Sequence, residues 1–404
     1  MRVERLDAGA VGALGGPAAA AASVRALVPG GASVAEEVRA IVAAVRSDGD
    51  RAVIDYTRRF DSAGRDPRPL RVAAEELDAA ITGMALELVA GLQVAIANVA
   101  LVADAGVGAE RTVELPQGHR VTLRELPVSS AAVYVPGGRA PYPSTVVMGV
   151  VTARSAGVLD VAVCAPPGAD GDIDPVILGT CRLCGVERVY RMGGAQAVAA
   201  LAYGTDTVER VDVIVGPGNL YVQEAKHQLS SIVGIDGFAG PSDLLVALAS
   251  DVGEHELRLA ALERLVLERP TVGEARFALV DVDGPREALA FANAFAPEHL
   301  QLIGAEVEAL APFVRAAGCL FVGAASATAF GDYVAGSNHV LPTAGAARFA
   351  SALSPRHFRR TMAEVRVGDA AAKLAAAGAP IAQAEGFQVH AESMQARVGE
   401  NPSS

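Results

Sequence analysis

From Ala131 onward the chain alternates short β-branched runs with apolar helical stretches. The runs AAVYV, VLDVAVCAP, RVYRMGG and VDVIVGPG are separated by STVVMGVVTARSAG, PVILGTCRLCG, AQAVAALAYG and LYVQEAKHQL. Such alternation dictates a parallel sheet with right-handed crossovers. A second series follows Gly240, with LLVALAS, RFALVDV, HLQLIG and LFVG as strands and helices expected over Glu254–Glu268, Arg286–Phe295 and Glu306–Ala316. The pattern therefore predicts an α/β fold. It has two Rossmann-like parallel-sheet units, one inserted in the other, with helical N- and C-terminal arms. The expected boundaries are an arm over 1–32, a first unit over 33–130 plus 240–345, an inserted unit over 131–239, and a C-terminal arm over 346–404.

Ahead of the strands, Val34 to Phe60 and Ala73 to Val102 read as helices, with apolar residues three and four apart. Asp48-Gly49-Asp50 breaks the first, and beyond Phe349 the chain reads as helical and charged. Ala8 to Val24 is uncharged, but Glu4 and Asp7 spoil a basic leader and Gly15-Gly16-Pro17 interrupts any apolar core. It reads as a helical or flexible arm rather than a signal peptide. No run is expected to approach the ~18 apolar residues of a membrane span. With 404 residues, 51% of them hydrophobic, there is material for two or more domains. A formal net charge of −12 argues against nucleic acid or an anionic membrane as partner. Four cysteines, Cys164, Cys181, Cys184 and Cys319, fit a reducing cytoplasm. A single Cys-x-x-Cys without a second pair reads as two helix residues, not a zinc site.

The chemistry gathers at glycine-framed turns. Gly331 to Thr343, GDYVAGSNHVLPT, sets Asp332, Tyr333, Asn338 and His339 in a loop. Ala296 to Leu300, APEHL, places Glu298 beside His299. A histidine near its ordinary pKa suits removal of a hydroxyl proton while hydride leaves carbon, and a neighbouring carboxylate can activate water. GGAQA follows RVYRM and opens a helix, and GPGNLYV does the same after VDVIV. Backbone N–H groups at such helix starts favour a pyrophosphate, although neither turn is a GxGxxG. The turn AGPSD carries Ser242, and no base is paired with it in sequence.

In this order the segments resemble the histidinol dehydrogenase family, over about Val45 to Arg397. Members oxidise an amino alcohol through the aldehyde to the acid with two NAD+. The resemblance implies that Glu298 and His299 are catalytic. It implies NAD as cofactor, with Tyr134 of VYVPGG, Gln196 of GGAQA and Asn219 of GPGN lining its site. Ser242, Asp332, His339, Glu385 and His390 would contact the small-molecule substrate; Asp243 stands where the family usually has Glu. The C-terminal tail would cross to a second subunit, giving a homodimer with shared active sites.

The family also binds one zinc. Its ligands are a Gln and a His three residues apart on a helix, the Asp of GDY, and a His of the C-terminal arm. Asp332 and His390 match the last two. The first two positions fall on Leu265 and Glu268 of RLVLERP; moving the alignment by one gives Arg264 and Leu267. Zinc wants about four ligands, three of them from protein even in open sites, so tight zinc is not expected. Leu257, Ala261 and Leu265 share one helix face, which makes one wall apolar and a poor fit for histidinol. The reading is an NAD-dependent alcohol dehydrogenase, zinc-independent and not histidinol-specific. Two alternatives stand beside it. One is a genuine zinc enzyme holding its metal through Glu268, Asp332 and His390. The other is a catalytically silent paralogue that binds a ligand. The substrate, one oxidation or two, and NAD against NADP are left open by the residues.

Overall fold

A computed structural model describes residues 3–28, 33–65, 67–137, 140–237, 240, 242–249, 255–269 and 276–398, without the side chains of Val3 and of 255–260. The chain forms two compact units, Met1–Gly106 with Ser129–Phe358, and Val107–Val128 with Arg359–Ser404.

The first unit holds a five-stranded parallel sheet in the order Arg188–Arg191, Asp160–Ala165, Ser130–Tyr134, Val213–Val215, Gly234–Ile235. The first of these in the chain, Ser130–Tyr134, lies in the middle. The chain builds outward on one side and then returns to the other, so a switch point opens between Tyr134 and Val215. Ligands of such sheets bind at the carboxyl ends of the strands at that point. The crossovers run as helices over Pro143–Ser155, Pro175–Leu183, Gly194–Tyr203 and Leu220–Leu229. Their starts are set locally. Pro143 and Pro175 open two of them, Asp174 caps one by accepting from Val176 N at 2.8 Å, and Asn219 caps another by accepting from Val222 N at 3.2 Å. Gly149 has a packing reason. A Cβ there would lie 2.5 Å from Val133 Cγ1, so the helix rests directly on the central strand. Residues Ala132, Tyr134, Cys164, Val198, Leu201 and Ile214 fill the core beneath, with Ile41 and Val45 from the helix Ala35–Asp48.

The second series makes a smaller parallel sheet in the order Cys319–Val322, His299–Ile303, Leu244–Leu248, with His299 opposite both Cys319 and Leu244. RFALVDV does not join it. Its core, Phe277–Val280, pairs with Val3–Leu6. The N-terminal arm, expected as helix or coil, therefore opens with a strand and continues as helices Ala8–Ala13 and Pro17–Arg25. A four-residue strand whose partner lies at the far end of the chain has no local signature. The helix expected over Glu306–Ala316 shortens to Ala305–Glu308 and a 3₁₀ turn Ala311–Phe313, because Pro312 removes a donor and breaks the ladder. The helix ending at Glu268 is described from His255; Glu254 lies outside the described residues.

The expectation about membrane-length runs is corrected. Leu86–Ala105 is a twenty-residue helix of mean hydropathy 1.9, long and apolar enough to cross a membrane by length and composition alone. Glu87 and Asp104 sit at its ends, and Gly, Asn and Gln dilute a run that charges do not interrupt. Its buried stripe is Leu92, Ala95, Val99 and Ala103, while Leu86 and Leu101 are 82% and 71% exposed. Gly331, Asp332 and Tyr333, expected in a loop, instead end a short helix Thr328–Tyr333. The long helix supports the segment that follows: Asn98 Nδ2 donates to Val334 O at 2.8 Å, and a Cβ on Gly336 (φ +95°) would lie 2.9 Å from Asn98 O.

The second unit is an antiparallel sheet in the order Arg359–Arg366, Arg120–Pro127, Arg111–Glu114, followed by helices Ala371–Ala384 and Gln388–Ala396. The first of these strands corrects the expectation of helix from Phe349 onward. RRTMAEVR is too charged to show a buried face, and its register comes from pairing with a segment more than two hundred residues upstream. The two helices are held by Ala379, Ala382 and Ala391 against Met394.

Candidate active site

Helix Pro285–Phe295 ends on Ala296 in the left-handed conformation, φ 50° and ψ 64°. A non-glycine residue there costs about 1–3 kcal/mol, and the following Pro297 narrows its options further. Complete burial of Ala296 against Ala316 and Ala347 holds it. The reversal delivers Glu298 and His299 to the start of the central strand. Gly318 N donates to Pro297 O and Cys319 N to Glu298 O, both at 2.9 Å, so the turn is sewn to the next strand. Gly318 is required there: a Cβ would lie 2.6 Å from Glu298 O.

Glu298 and His299 are 7% and 8% exposed. The Glu298 carboxylate accepts from Ser242 Oγ at 2.5 Å and from Asp243 N at 3.1 Å; its own N–H donates to Asp243 Oδ1 at 2.7 Å. Burial raises its pKa above the usual carboxylate value, against the Ser242 hydrogen bond and the charge of His299. His299 Nε2 lies 3.2 Å from Asp332 Oδ1 and Nδ1 3.8 Å from Glu298 Oε2. Burial would lower its pKa. The Asp332 hydrogen bond and the Glu298 and Asp332 charges together outweigh that, so the imidazole is raised above its ordinary value. His339 Nδ1 donates to Asp332 O at 2.8 Å, leaving Nε2 facing Thr145 Oγ1 at 3.4 Å; burial lowers its pKa. Asn338 is structural: its amide donates to Met148 O and Thr152 Oγ1, each at 3.1 Å. Tyr333 is exposed.

The structure thus brings Ser242, Glu298, His299, Asp332 and His339 into one cluster. Tyr134, Gln196 and Asn219 meet elsewhere in the first unit, lining a cavity of about 880 Å³ at the carboxyl ends of the larger sheet. Tyr134 is buried, and its hydroxyl accepts from Gly194 N at 3.0 Å. Gly194 has φ +61°, a left-handed turn that L side chains resist. Gln196 Nε2 is 3.4 Å from Asp61 Oδ2, and burial pushes the Asp61 carboxyl up to about 6. Ala239 and Pro241 of AGPSD, Gly138 of VYVPGG, Pro270 and the Leu257 side chain lie outside the described residues. Glu385 and His390 lie exposed on the second unit, with the His390 ring stacked on Phe387 at 5.1 Å.

Some residues of this architecture carry no sequence motif. Asp61 is one. Lys226 and Asp236 are two more: they clamp the turn that presents Asn219. Lys226 Nζ donates to Gly216 O and to Asp236 Oδ1, both at 2.6 Å, while Asp236 Oδ2 accepts from Gly216 N at 2.7 Å. Both are buried. Gly216 itself has φ +110°, and a Cβ would collide with Tyr134 O. Lys226→Met leaves a buried carboxylate unpaired, which costs about 3–5 kcal/mol. Urea unfolding is expected to show a loss of that size, and calorimetry weaker NAD binding.

The histidinol dehydrogenase family model matches residues 30–260 and 253–398. The chain belongs to the histidinol dehydrogenase family. It is 38% identical to the histidinol dehydrogenase of Gluconobacter oxydans (strain 621H) over 407 residues, covering 91% of this chain and 94% of that protein. It is 40% identical to that of Synechococcus sp. (strain ATCC 27144 / PCC 6301 / SAUG 1402/1) over 397 residues, covering 89% and 91%. The crystal structure of histidinol dehydrogenase from Elizabethkingia anophelis superposes with a TM-score of 0.87 at 28% identity over 98% of each chain. As a histidinol dehydrogenase family member the chain is an NAD-dependent oxidoreductase.

Proposed function

We propose that this chain oxidises a small polar alcohol with NAD, without a resident zinc, and that it is not tuned to histidinol. The observation that carries the reading is the pair Leu265 and Glu268. Leu265 offers no donor atom. Glu268 is exposed on the helix His255–Glu268 and faces Arg264, with Nε to Oε1 at 3.6 Å. Asp332, the ligand position of GDY, is hydrogen-bonded to His299. The donor set does not fit a tetrahedral zinc site.

The cavity fits a dinucleotide. Its walls are the switch-point residues Tyr134, Gln196 and Asn219, and close backbone approach is built in. A Cβ on Gly137 or Gly193 would run into Pro166. When bound, NAD supplies the hydride acceptor. His299, held by Asp332, takes the hydroxyl proton at one ring nitrogen as hydride leaves the carbinol carbon. Glu298, with its pKa raised by burial, is suited to take a proton from water if the carbonyl is oxidised further. Ser242 fixes the rotamer of Glu298. In this reading the cofactor lies on 131–239 and the acid–base pair on 33–130 with 240–345. Glu385 and His390 complete the site of a second subunit in a homodimer.

A second reading is favoured by the names of the relatives: histidinol as substrate, with zinc retained through Glu268, Asp332 and His390. Elemental analysis after dialysis, together with NADH formation from histidinol, separates the two. The expected result is substoichiometric zinc and poor turnover of histidinol, with a better rate on another small polar alcohol. One firmly held zinc per subunit and histidinol turnover of about 1–10³ per second would establish the second reading instead.

A further inference from the structure

We propose that Arg25, carried by the N-terminal arm, is a positioning residue for the acid–base pair: it fixes Asp243 and so sets the orientation of Glu298. The inference rests on the reading of Glu298 and His299 given above.

The helix Pro17–Arg25 docks on helix Pro285–Phe295 through Ala20 and Ala21, which join Val11, Phe291 and Phe295 in one apolar cluster. Arg25 is the last residue of the arm helix, and its guanidinium makes three contacts. It donates to Phe295 O, it donates to Asp243 Oδ2 at 3.2 Å, and it lies over the Phe295 ring at 4.0 Å from the centroid. These contacts join the two segments whose meeting places Glu298. Phe295 O is the carbonyl immediately before left-handed Ala296. Asp243 grips Glu298 twice, taking its N–H on Oδ1 at 2.7 Å and giving its own N–H to the carboxylate at 3.1 Å. One carboxylate oxygen of Asp243 therefore serves Arg25 and the other serves Glu298.

The residue type suits the task. A planar guanidinium can stack on an aromatic ring and donate in two directions at once; a lysine ammonium offers a point charge and no plane. The charge matters as well. Asp243 is a second carboxylate close to Glu298, and a like charge opposes ionisation. Arg25 offsets it at a partly buried site, with side chains 29% and 19% exposed for Arg25 and Asp243. Among the described residues, the other groups facing Glu298 are Ser242 and His299. Removing Arg25 would free the Asp243 carboxylate, loosen the Glu298 backbone and make Glu298 harder to ionise.

The test is a titration that needs no substrate. Protein carrying ¹³C at the glutamate carboxyls is titrated by NMR, with the Glu298 signal identified by its loss in Glu298→Gln. In Arg25→Ala the Glu298 midpoint is expected to move upward while NAD binding by calorimetry is unchanged. Added methylguanidinium is expected to move the midpoint back. NADH formation from the alcohol that the parent oxidises best should fall by up to about 10²-fold, as for a misplacement of the order of 1 Å. A purely architectural arm would lower stability and leave the midpoint in place. A folded Arg25→Ala protein whose Glu298 titrates as in the parent overturns the proposal. If Arg25→Ala does not fold, Arg25→Gln, which keeps the stem over Phe295, takes its place under the same criteria. A parent protein that turns over no alcohol, with the shift present in Arg25→Ala, removes the reading of Glu298 and His299 as an acid–base pair and leaves the coupling of Arg25 to Glu298 standing.

Discussion

Replacing His299 by alanine is expected to lower kcat by about 10²–10⁴-fold and to leave NAD affinity nearly unchanged. The first part follows from position. His299 opens the central strand of the smaller sheet, with Nε2 on Asp332 and its backbone N–H on Asp243 O at 3.2 Å. The second part follows because Tyr134 ends a strand of the larger sheet and Gln196 and Asn219 stand at the starts of its crossover helices, away from His299. A pH profile adds a sign. The base works when neutral, and its pKa is raised in the folded protein. The rate should therefore climb with pH through a limb that lies above the ordinary histidine range. That limb should vanish in His299→Ala. In Asp332→Asn it should move to lower pH, because the hydrogen bond and the negative charge that favour the imidazolium are lost. Glu298→Gln should spare the first hydride step and slow acid formation. Full turnover in His299→Ala would shift the search for the base to His339, whose Nε2 faces only the Thr145 hydroxyl at 3.4 Å among the described residues. Absence of NAD binding would leave a silent ligand-binding paralogue as the better account.

A chain cut after Pro380 is expected to be inactive, and to recover part of its activity when mixed with His299→Ala. The cut falls inside helix Ala371–Ala384 and takes with it Ala382, Ala391, Glu385 and His390. If the tail completes the site of the other subunit, each parent supplies what its partner lacks, and only mixed dimers contain one whole site. The truncated chain alone has an intact acid–base pair and an intact cofactor cavity, so its loss of activity would report on the tail. The assay is NADH formation in the mixture after subunit exchange, with light scattering for mass. A monomer with full activity would rule the shared site out.

The parts that were legible in the sequence are those whose signal is local. β-branched runs bounded by glycine turns gave way to strands at Ser130–Tyr134, Asp160–Ala165 and His299–Ile303, because a buried central strand needs apolar residues on both faces. What escaped depended on distant partners. Val3–Leu6 is a strand because of Phe277, and Arg359–Arg366 because of Pro127 and its neighbours. The membrane-length helix escaped for another reason. Gly91, Gln93 and Asn98 dilute its apolar run, while no charge falls between Glu87 and Asp104. At the site, APEHL and AGPSD were visible as turns, and they meet because Leu244–Leu248 and His299–Ile303 are neighbours in one sheet; GDY, read as loop, ends a helix whose Asp332 reaches His299. Arg25, Asp61, Lys226 and Asp236 could not be found this way. A lysine in LYVQEAKHQL reads as a solvated helix face, and only the fold turns it toward Gly216.

The pairing of Leu244–Leu248 with His299–Ile303, and the reach of Arg25 across 218 positions to Asp243, impose an order on biosynthesis. A ribosome has delivered every strand of the five-stranded sheet, from Ser130 to Ile235, before any strand of the smaller sheet exists. Domains fold as units during synthesis, at about 5–20 residues per second, and pairings distant in sequence form slowly. The nascent chain therefore spends seconds with every strand of the larger sheet made while Glu298 and His299 are not. During that interval the N-terminal arm has no docking surface, because Phe291 and Phe295 have not yet been made. Apolar surface such as Val11, Ala20 and Ala21 waits uncovered until that late partner is made, and transiently exposed surface of this kind is what chaperones protect.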